Sequence, residues 1–375
     1  MALKLKNVVF LGGALFMIAP ALIAGSIFTD AFQRRAETAN ANRLQVIGEL
    51  AAEQLGRRMH QLWRDVEGMA RLADMEKPED LRRQFSFLGS MDPRYSWVGA
   101  ANVEGTVVAA SQGMLEGQSV AQRPWFRRGL EGPAATDVHD AVLLAKLMAP
   151  SKEPRRFVDF STPIRSAEGQ VTGALGAHFD WKWVQENVGS QKVPGVDFLL
   201  VSRNRVVLSG PADLQDKTLS VGSAIAAGQT AAVSLDELWP DGKRYITAVV
   251  PAVQHQDMPS FGWSIIVRAD ADAVLAPTRS IIRSFWVLLG AGALAALALF
   301  YVFATWLATP LNRLAGFAEK LVSGDNRQPP YEETRYQEAS RLSAALTNLQ
   351  TREMRPYQPV KTSDKVTELR RQKGN

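Results

Sequence analysis

Two long runs without a charged residue limit what this chain can fold into: VVFLGGALFMIAPALIAGSIF, from Val8 to Phe28, and FWVLLGAGALAALALFYVFATWL, from Phe285 to Leu307. Each reaches the roughly 20 apolar residues that cross about 30 Å of hydrocarbon. The first exceeds the usual apolar stretch of a cleaved signal peptide and shows no convincing A-x-A site, so it reads as an uncleaved anchor. Lys4 and Lys6 precede it, and Arg313 and Lys320 follow the second run, which suits two cytoplasmic ends. Arg34, Arg35, Arg279 and Arg283 stand on the other side, but a long loop is translocated largely regardless of charge. The expected topology is in, out, in. It places a cytoplasmic N-terminus at 1–7, membrane helices at 8–28 and 284–307, and a large extracytoplasmic domain at 29–280.

Composition narrows the function. The net charge of +5 comes from scattered basic residues on an anchored chain, so a nucleic-acid partner is not expected. Cysteine is absent, which removes disulfides, thiol catalysis and thiolate metal sites. There is no G-x-S-x-G, phosphate-binding loop or H-E-x-x-H, and the sequence is read as a non-enzyme with no cofactor and no metal.

From Asp30 to Ala73 there is no proline, and Leu44, Ile47, Leu55, Met59, Leu62, Val66 and Met69 recur at helical spacing. This predicts one long helix, with a short second helix at LRRQFSFLG. Strand patterns then take over. SWVGAANVEGTVVAAS reads as a hairpin about Glu104 and Gly105, and QRPWFRRGL as a helix with Pro124 in its first turn. The turn at Glu168 and Gly169 joins two further strands, and a short helix, WVQENVG, ends a unit at 95–188. VDFLLVSRNRVVLSG, TAAVSLDEL, KRYITAVVPAV and GWSIIVRAD supply the strands of a second unit at 189–275. No alignable repeat relates the two units. After the second apolar run, Leu311, Leu314, Ala318 and Leu321 keep a and d spacing, as do Leu342, Leu346 and Leu349. Two short amphipathic helices cannot bury such stripes alone, which implies a homodimer forming a four-helix bundle.

In order, these segments resemble the double Cache sensor domain of bacterial transmembrane receptors. The hairpin VEGTVVAAS, the helix start RPWF and the strand pair TPIRSAEGQVTGALGAHFDW carry the likeness. Residues 308–354 resemble a HAMP linker, with Pro310 opening its first helix, Gly324 and Asp325 in its connector and Glu338 opening its second. The resemblance implies an α+β fold: two stacked PAS-like antiparallel sheet units on a long N-terminal helix, flanked by two membrane helices and a HAMP coiled coil. Pro310, Leu314, Leu321, Glu338 and Leu346 would be its signalling residues. It also implies a bacterial inner membrane with the 29–280 domain in the periplasm, and a ligand in the first unit. An amino-acid-binding branch of that family uses R-x-W-[FY] with later aspartates. Arg123, Trp125 and Phe126 match the first part and Asp140 fills one aspartate position, but the position in the last strand reads His178. An aspartate there would pair with an ammonium group, which histidine does poorly. Organic acids and purine-like metabolites therefore stand beside amino acids as expected ligands.

Each candidate also has a plainer role. Arg123 and Trp125 suit ligand contact or a helix start with its aromatic in the core. Trp97 suits stacking on a ligand or core packing. Asp159 and Asp180 suit the polar side of a pocket, or turns and caps. His139, Asp140 and His178 lack metal-binding sequence spacing, so a hydrogen bond to ligand or a strand network is the favoured reading. The C-terminal stretch 355–375 is basic and too short for a kinase or cyclase. The expected function is a membrane sensor of a small solute that signals to a separately encoded cyclase, kinase or chemotaxis component. The alternative is a truncated receptor or a tethered binding protein.

Overall fold

The computed structural model describes residues 4–140, 142–148, 154–190, 192–229, 231–324 and 332–353. Asp325, the double proline of the connector and the basic tail lie outside the described residues. The chain divides into two compact units, one of residues 30–281 and one of residues 1–29 with 282–375.

The 30–281 unit is built on the later part of α1 (Leu5–Leu72), followed by α2 (Pro78–Met91). The predicted hairpin is β1 (Tyr95–Asn102) with β2 (Val107–Ala110). Then come α3 (Pro124–Glu131), β3 (Ala134–Asp140), α4 (Val142–Leu147), β4 (Arg156–Arg165), β5 (Val171–Asp180) and α5 (Trp181–Gly189). The second unit of strands comprises β6 (Asp197–Val201), β7 (Val207–Ser209), β8 (Ser234–Leu238), β9 (Arg244–Val250) and β10 (Ser264–Asp270). Between β7 and β8 lies a helix that periodicity does not reveal, α6 (Gly222–Gly228), because seven residues of mostly glycine and alanine carry no stripe.

Both sheets are antiparallel, ordered β2-β1-β5-β4-β3 and β7-β6-β10-β9-β8, which is the same path through five strands twice. The repeat is thus one of topology. Period-2 alternation sorts each strand between two cores. Val98, Ala100, Val158, Phe160, Leu175, Ala177 and Phe179 of the first sheet join Phe198, Leu200, Ile246, Ala248, Ile265 and Val267 of the second in one cluster. Met59, Leu62, Trp63 and Val66 of α1, at most 1% exposed, belong to that same core. Burying each such side chain contributes about 1.5–3 kcal/mol, so the amphipathic face of α1 supports both sheets. The opposite face of each sheet has its own smaller cluster. An aromatic seam joins the halves: Phe160 lies 4.9 Å from Phe261, which stacks at 4.3 Å on Trp263.

In the other unit, the two apolar segments belong to helices long and apolar enough to cross a membrane. They run antiparallel, since Phe10 lies against Tyr301 and Phe28 against Phe285. The second belongs to α7 (Ala271–Val322), which continues without interruption past Pro310. Pro310 was expected to open a helix and does not. A proline inside a helix strands a carbonyl one turn back and is tolerated where neighbouring groups re-satisfy the backbone. The carbonyl it strands is that of Trp306; on either side of it, the Tyr336 hydroxyl donates to the carbonyl of Leu307 at 3.0 Å, and Thr309 Oγ1 to that of Thr305 at 2.5 Å. Glu338 falls in the first turn of α8 (Gln337–Glu353). Leu314 is buried and Leu321 half-buried, whereas Leu342 and Leu349 are exposed and Leu346 is half-buried.

Candidate functional site

The outer face of the first sheet carries a lateral row of directly opposed residues. Trp97 of β1 faces His178 of β5, His178 faces Asp159 of β4, and Asp159 faces Thr136 of β3. Residues opposite one another share a face. A bulge between Thr136 and His139 breaks the alternation of β3 and brings His139 to the same group. The row lines a cavity of ≈ 270 Å³ roofed by α3 and by Leu115, Val120 and Leu144.

The row is buried and short of partners. Asp159 is 1% exposed and His178 4% exposed. Both Asp159 oxygens, His178 Nδ1 and Thr136 Oγ1 lack an aligned hydrogen bond. His178 Nδ1 nonetheless lies 2.5 Å from Asp159 Oδ1, and His139 Nε2 lies 3.3 Å from Asp159 Oδ2. These are contacts by distance without hydrogen-bond direction. His139 Nδ1 lies 3.1 Å from the carbonyl of Asp137. A carbonyl only accepts, so Nδ1 carries a proton, and in the neutral ring Nε2 turns a lone pair toward Asp159. Aromatic rings enclose His178: Trp97 at 5.0 Å, Phe157 at 6.0 Å and Trp125 at 6.1 Å between centroids. Trp97 is held by its Nε1, which donates to the carbonyl of Met114 at 3.0 Å.

Of the residues singled out in the sequence, Trp97, Arg123, Trp125, His139, Asp140, Asp159 and His178 all line this cavity. Arg123 is the N-cap of α3, but its side chain makes no capping bond. Pro124 at the first helical position sets the turn that carries Trp125 inward. Phe126, expected at the ligand, is absent from the lining and packs beside Trp125 in the adjoining core instead. Consecutive helical residues point about 100° apart, so both rings cannot face one cavity. Arg127 and Arg128 are exposed. Asp180 is the N-cap of α5, accepting from the Lys182 amide at 2.8 Å. Sequence reasoning missed Thr136, whose signal was its place in a strand opposite Asp159.

The second sheet fills the equivalent space. His178 stands two residues before the helix cap Asp180, and Arg268 two residues before Asp270, which caps α7 through the amides of Asp272 and Ala273. Arg268 is 3% exposed. Its guanidinium lies 4.3 Å from the Trp239 ring and 4.1 Å from the Tyr245 ring, and its Nε donates to Asp197 at 2.9 Å. One sheet presents a cavity where the other is plugged by its own arginine.

The duplicated sheet on a long helix decides the family once a sequence comparison is added, because residues 29–278 match the dCache_1 Cache-domain model. The chain belongs to the Cache-domain family. Two solved structures share the fold at a TM-score of 0.50, and a third falls just below it. The ligand-binding domain of the Pseudomonas fluorescens chemoreceptor CtaA in complex with L-leucine has a TM-score of 0.50 at 17% identity, covering 66% of this chain and 99% of that one. The same domain with L-isoleucine has a TM-score of 0.50 at 17% identity, with 66% and 97% covered. The ligand-binding domain of the Pseudomonas aeruginosa amino-acid chemoreceptor PctC in complex with GABA gives 0.47 at 20% identity, with 62% and 100% covered. No curated protein matches the chain. At these identities the likeness to solved structures is one of fold, and the lining of this Cache cavity stands on its own residues.

Proposed function

We propose that the protein is a membrane-anchored receptor whose Cache domain captures a small solute in the cavity on the first sheet, outside the cytoplasm. The observation that carries this is the row Trp97, His178, Asp159 and Thr136, in which His178 Nδ1, both Asp159 oxygens and Thr136 Oγ1 lack aligned partners inside an aromatic cavity. Buried polar groups cost stability unless something bonds to them, and an occupant of the cavity would do so. Arg123 supplies a fork for a carboxylate, while Trp97 and Trp125 offer apolar faces. The solute class is therefore a small anion or zwitterion, such as an organic acid or amino acid. Binding would act as a sensor input, without catalysis. β4 carries Asp159 on one face and Phe160 on the other, and Phe160 touches Phe261 just before β10, which runs directly into α7. That continuity supports transmission through α7 to a HAMP-like pair formed by its end and α8, and on to a cyclase, kinase or chemotaxis effector. A ligand shifts such an equilibrium only by its differential affinity for the two states.

A thermal-shift screen of the purified chain against amino acids, organic acids and purines tests the reading, because a ligand of the folded state raises the melting temperature. Arg123→Ala is expected to weaken binding about 10- to 150-fold, the loss of one charge-assisted interaction. Unchanged affinity in that variant would remove the solute from this cavity. A hit that leaves hydrogen exchange in β10 and α7 unaltered would favour a tethered binding protein without signalling.

A further inference from the structure

We propose that His139, Asp159 and His178 form a binding site for a divalent transition-metal ion of the zinc, cobalt or nickel type. The proposal rests on the solute cavity described above and gives its polar wall a specific chemistry. One donor atom from each residue lies within 4.8 Å of the others. Ligand bonds of about 2.0–2.2 Å in tetrahedral geometry place neighbouring donors roughly 3.3–3.5 Å apart. The 3.3 Å between His139 Nε2 and Asp159 Oδ2 has that spacing, and the closer His178 contact needs to open by less than a bond length.

Three features separate this group from an ordinary ion pair. First, the Nδ1 proton of His139 is committed to the Asp137 carbonyl. In neutral His139 the Nε2 lone pair then faces a carboxylate oxygen, so two acceptors oppose each other until a cation lies between them. A histidine whose far nitrogen donates to a backbone carbonyl is the usual orientation of a metal ligand. Second, Asp159 is 1% exposed and sits mid-strand with neither oxygen in an aligned hydrogen bond. A proton shared with His178 would satisfy one oxygen and leave the other to Nε2 of His139, which donates only in the doubly protonated ring. A metal ion satisfies all three groups at once. Third, two imidazoles and one carboxylate suit borderline divalent ions, leaving open coordination toward the cavity for water or a carboxylate-bearing solute.

The chain's other histidines provide the contrast. His60 Nε2 and Asp257 Oδ1 form an aligned hydrogen bond of 2.9 Å, with the Asp257 side chain 57% exposed. That pair is complete without an ion.

The test uses the full chain in detergent, purified without a polyhistidine tag, stripped with EDTA and dialysed. Titration with Co²⁺ is expected to give one bound ion per chain with visible d–d bands of a low-coordinate site, displaced by Zn²⁺. Asp159→Asn and His178→Gln should weaken binding at least about 100-fold. His139→Ala gives the same loss at a site whose side chain is 31% exposed, so it keeps the proposal testable if a buried variant misfolds. His60→Ala should bind as the parent does. Absence of a stoichiometric ion, or binding that survives in His139→Ala and disappears in His60→Ala, overturns the site. The solute screen run on stripped and Zn²⁺-loaded chain separates the two readings. Solute binding with no metal uptake sinks only the metal site, and metal uptake with no solute binding sinks only the solute reading.

Discussion

A Cβ on Gly176 would stand 2.5 Å from the indole of Trp125, and one on Gly99 would run into the ring of Trp97. The two glycines face each other across β1 and β5. Together they make the shallow in the sheet on which both indoles rest, so residues with no side chain set the depth of the cavity. Gly176→Ala should push Trp125 outward and destabilise the fold by about 1–3 kcal/mol, the usual range for overpacking. Denaturant midpoints followed by tryptophan fluorescence read both effects. An unchanged midpoint with unchanged fluorescence would mean that Trp125 is not held there. At this scale the sequence spoke unevenly. Arg123 and Trp125 stand out because a charged fork beside an indole at a helix start has few uses. Asp159 and Asp180 are indistinguishable as letters, and only strand pairing shows that one faces the cavity while the other caps a helix.

Elements follow the periodicity of the sequence where packing and periodicity agree. The hairpin at 95–110, the strands β4 and β5 and the long helix α1 are all legible in this way. Besides α6, two features are not. The bulge in β3 depends on its neighbours, and without it His139 is only the third residue after Thr136. The continuity of α7 through Pro310 is the other, since a proline after an apolar run reads locally as a helix start. β3 also bears the polar link between the two sheets, since Trp263 Nε1 donates to Asp137 Oδ1 at 2.6 Å. Burial pushes the Asp137 carboxyl above its ordinary 3.8, opposed by that hydrogen bond. A carboxyl with a raised folded pKa binds more protons folded than unfolded. Its favourable contribution is therefore complete below 3.8 and is lost as pH rises through the folded value. Asp137→Asn keeps an acceptor for Trp263 and removes the titration. Relative to the parent, the variant should gain stability as pH rises above 3.8, seen as a flatter profile of melting temperature against pH. Parallel profiles would place the titration elsewhere.

The molecule repeats one topology and uses the copies differently. Where the first sheet has His178 and a cavity, the second has Arg268 buried between Trp239 and Tyr245. Arg268→Ala should cost about 2–3 kcal/mol through lost cation–π and packing contacts. Solute affinity at the first sheet should stay within about twofold, because the outer faces belong to separate clusters and distant sites act additively. A large loss of affinity in the folded variant would show the sheets to be more tightly coupled than their packing suggests. At the other end of the chain, α8 buries Ala339, Ser343 and Gln350 against its own unit while Leu342 and Leu349 remain 44% and 55% exposed. Leucines left outward at heptad spacing are the face a second copy would cover. The absence of cysteine from the chain makes this directly testable. Leu349→Cys should form a disulfide-linked dimer under mild oxidation of the full chain in membranes. Ala344→Cys, also exposed but on the opposite side of α8, should cross-link far more slowly. Equal rates for the two variants would mean random collision, and would remove the dimeric bundle from the signalling route proposed for α7 and α8.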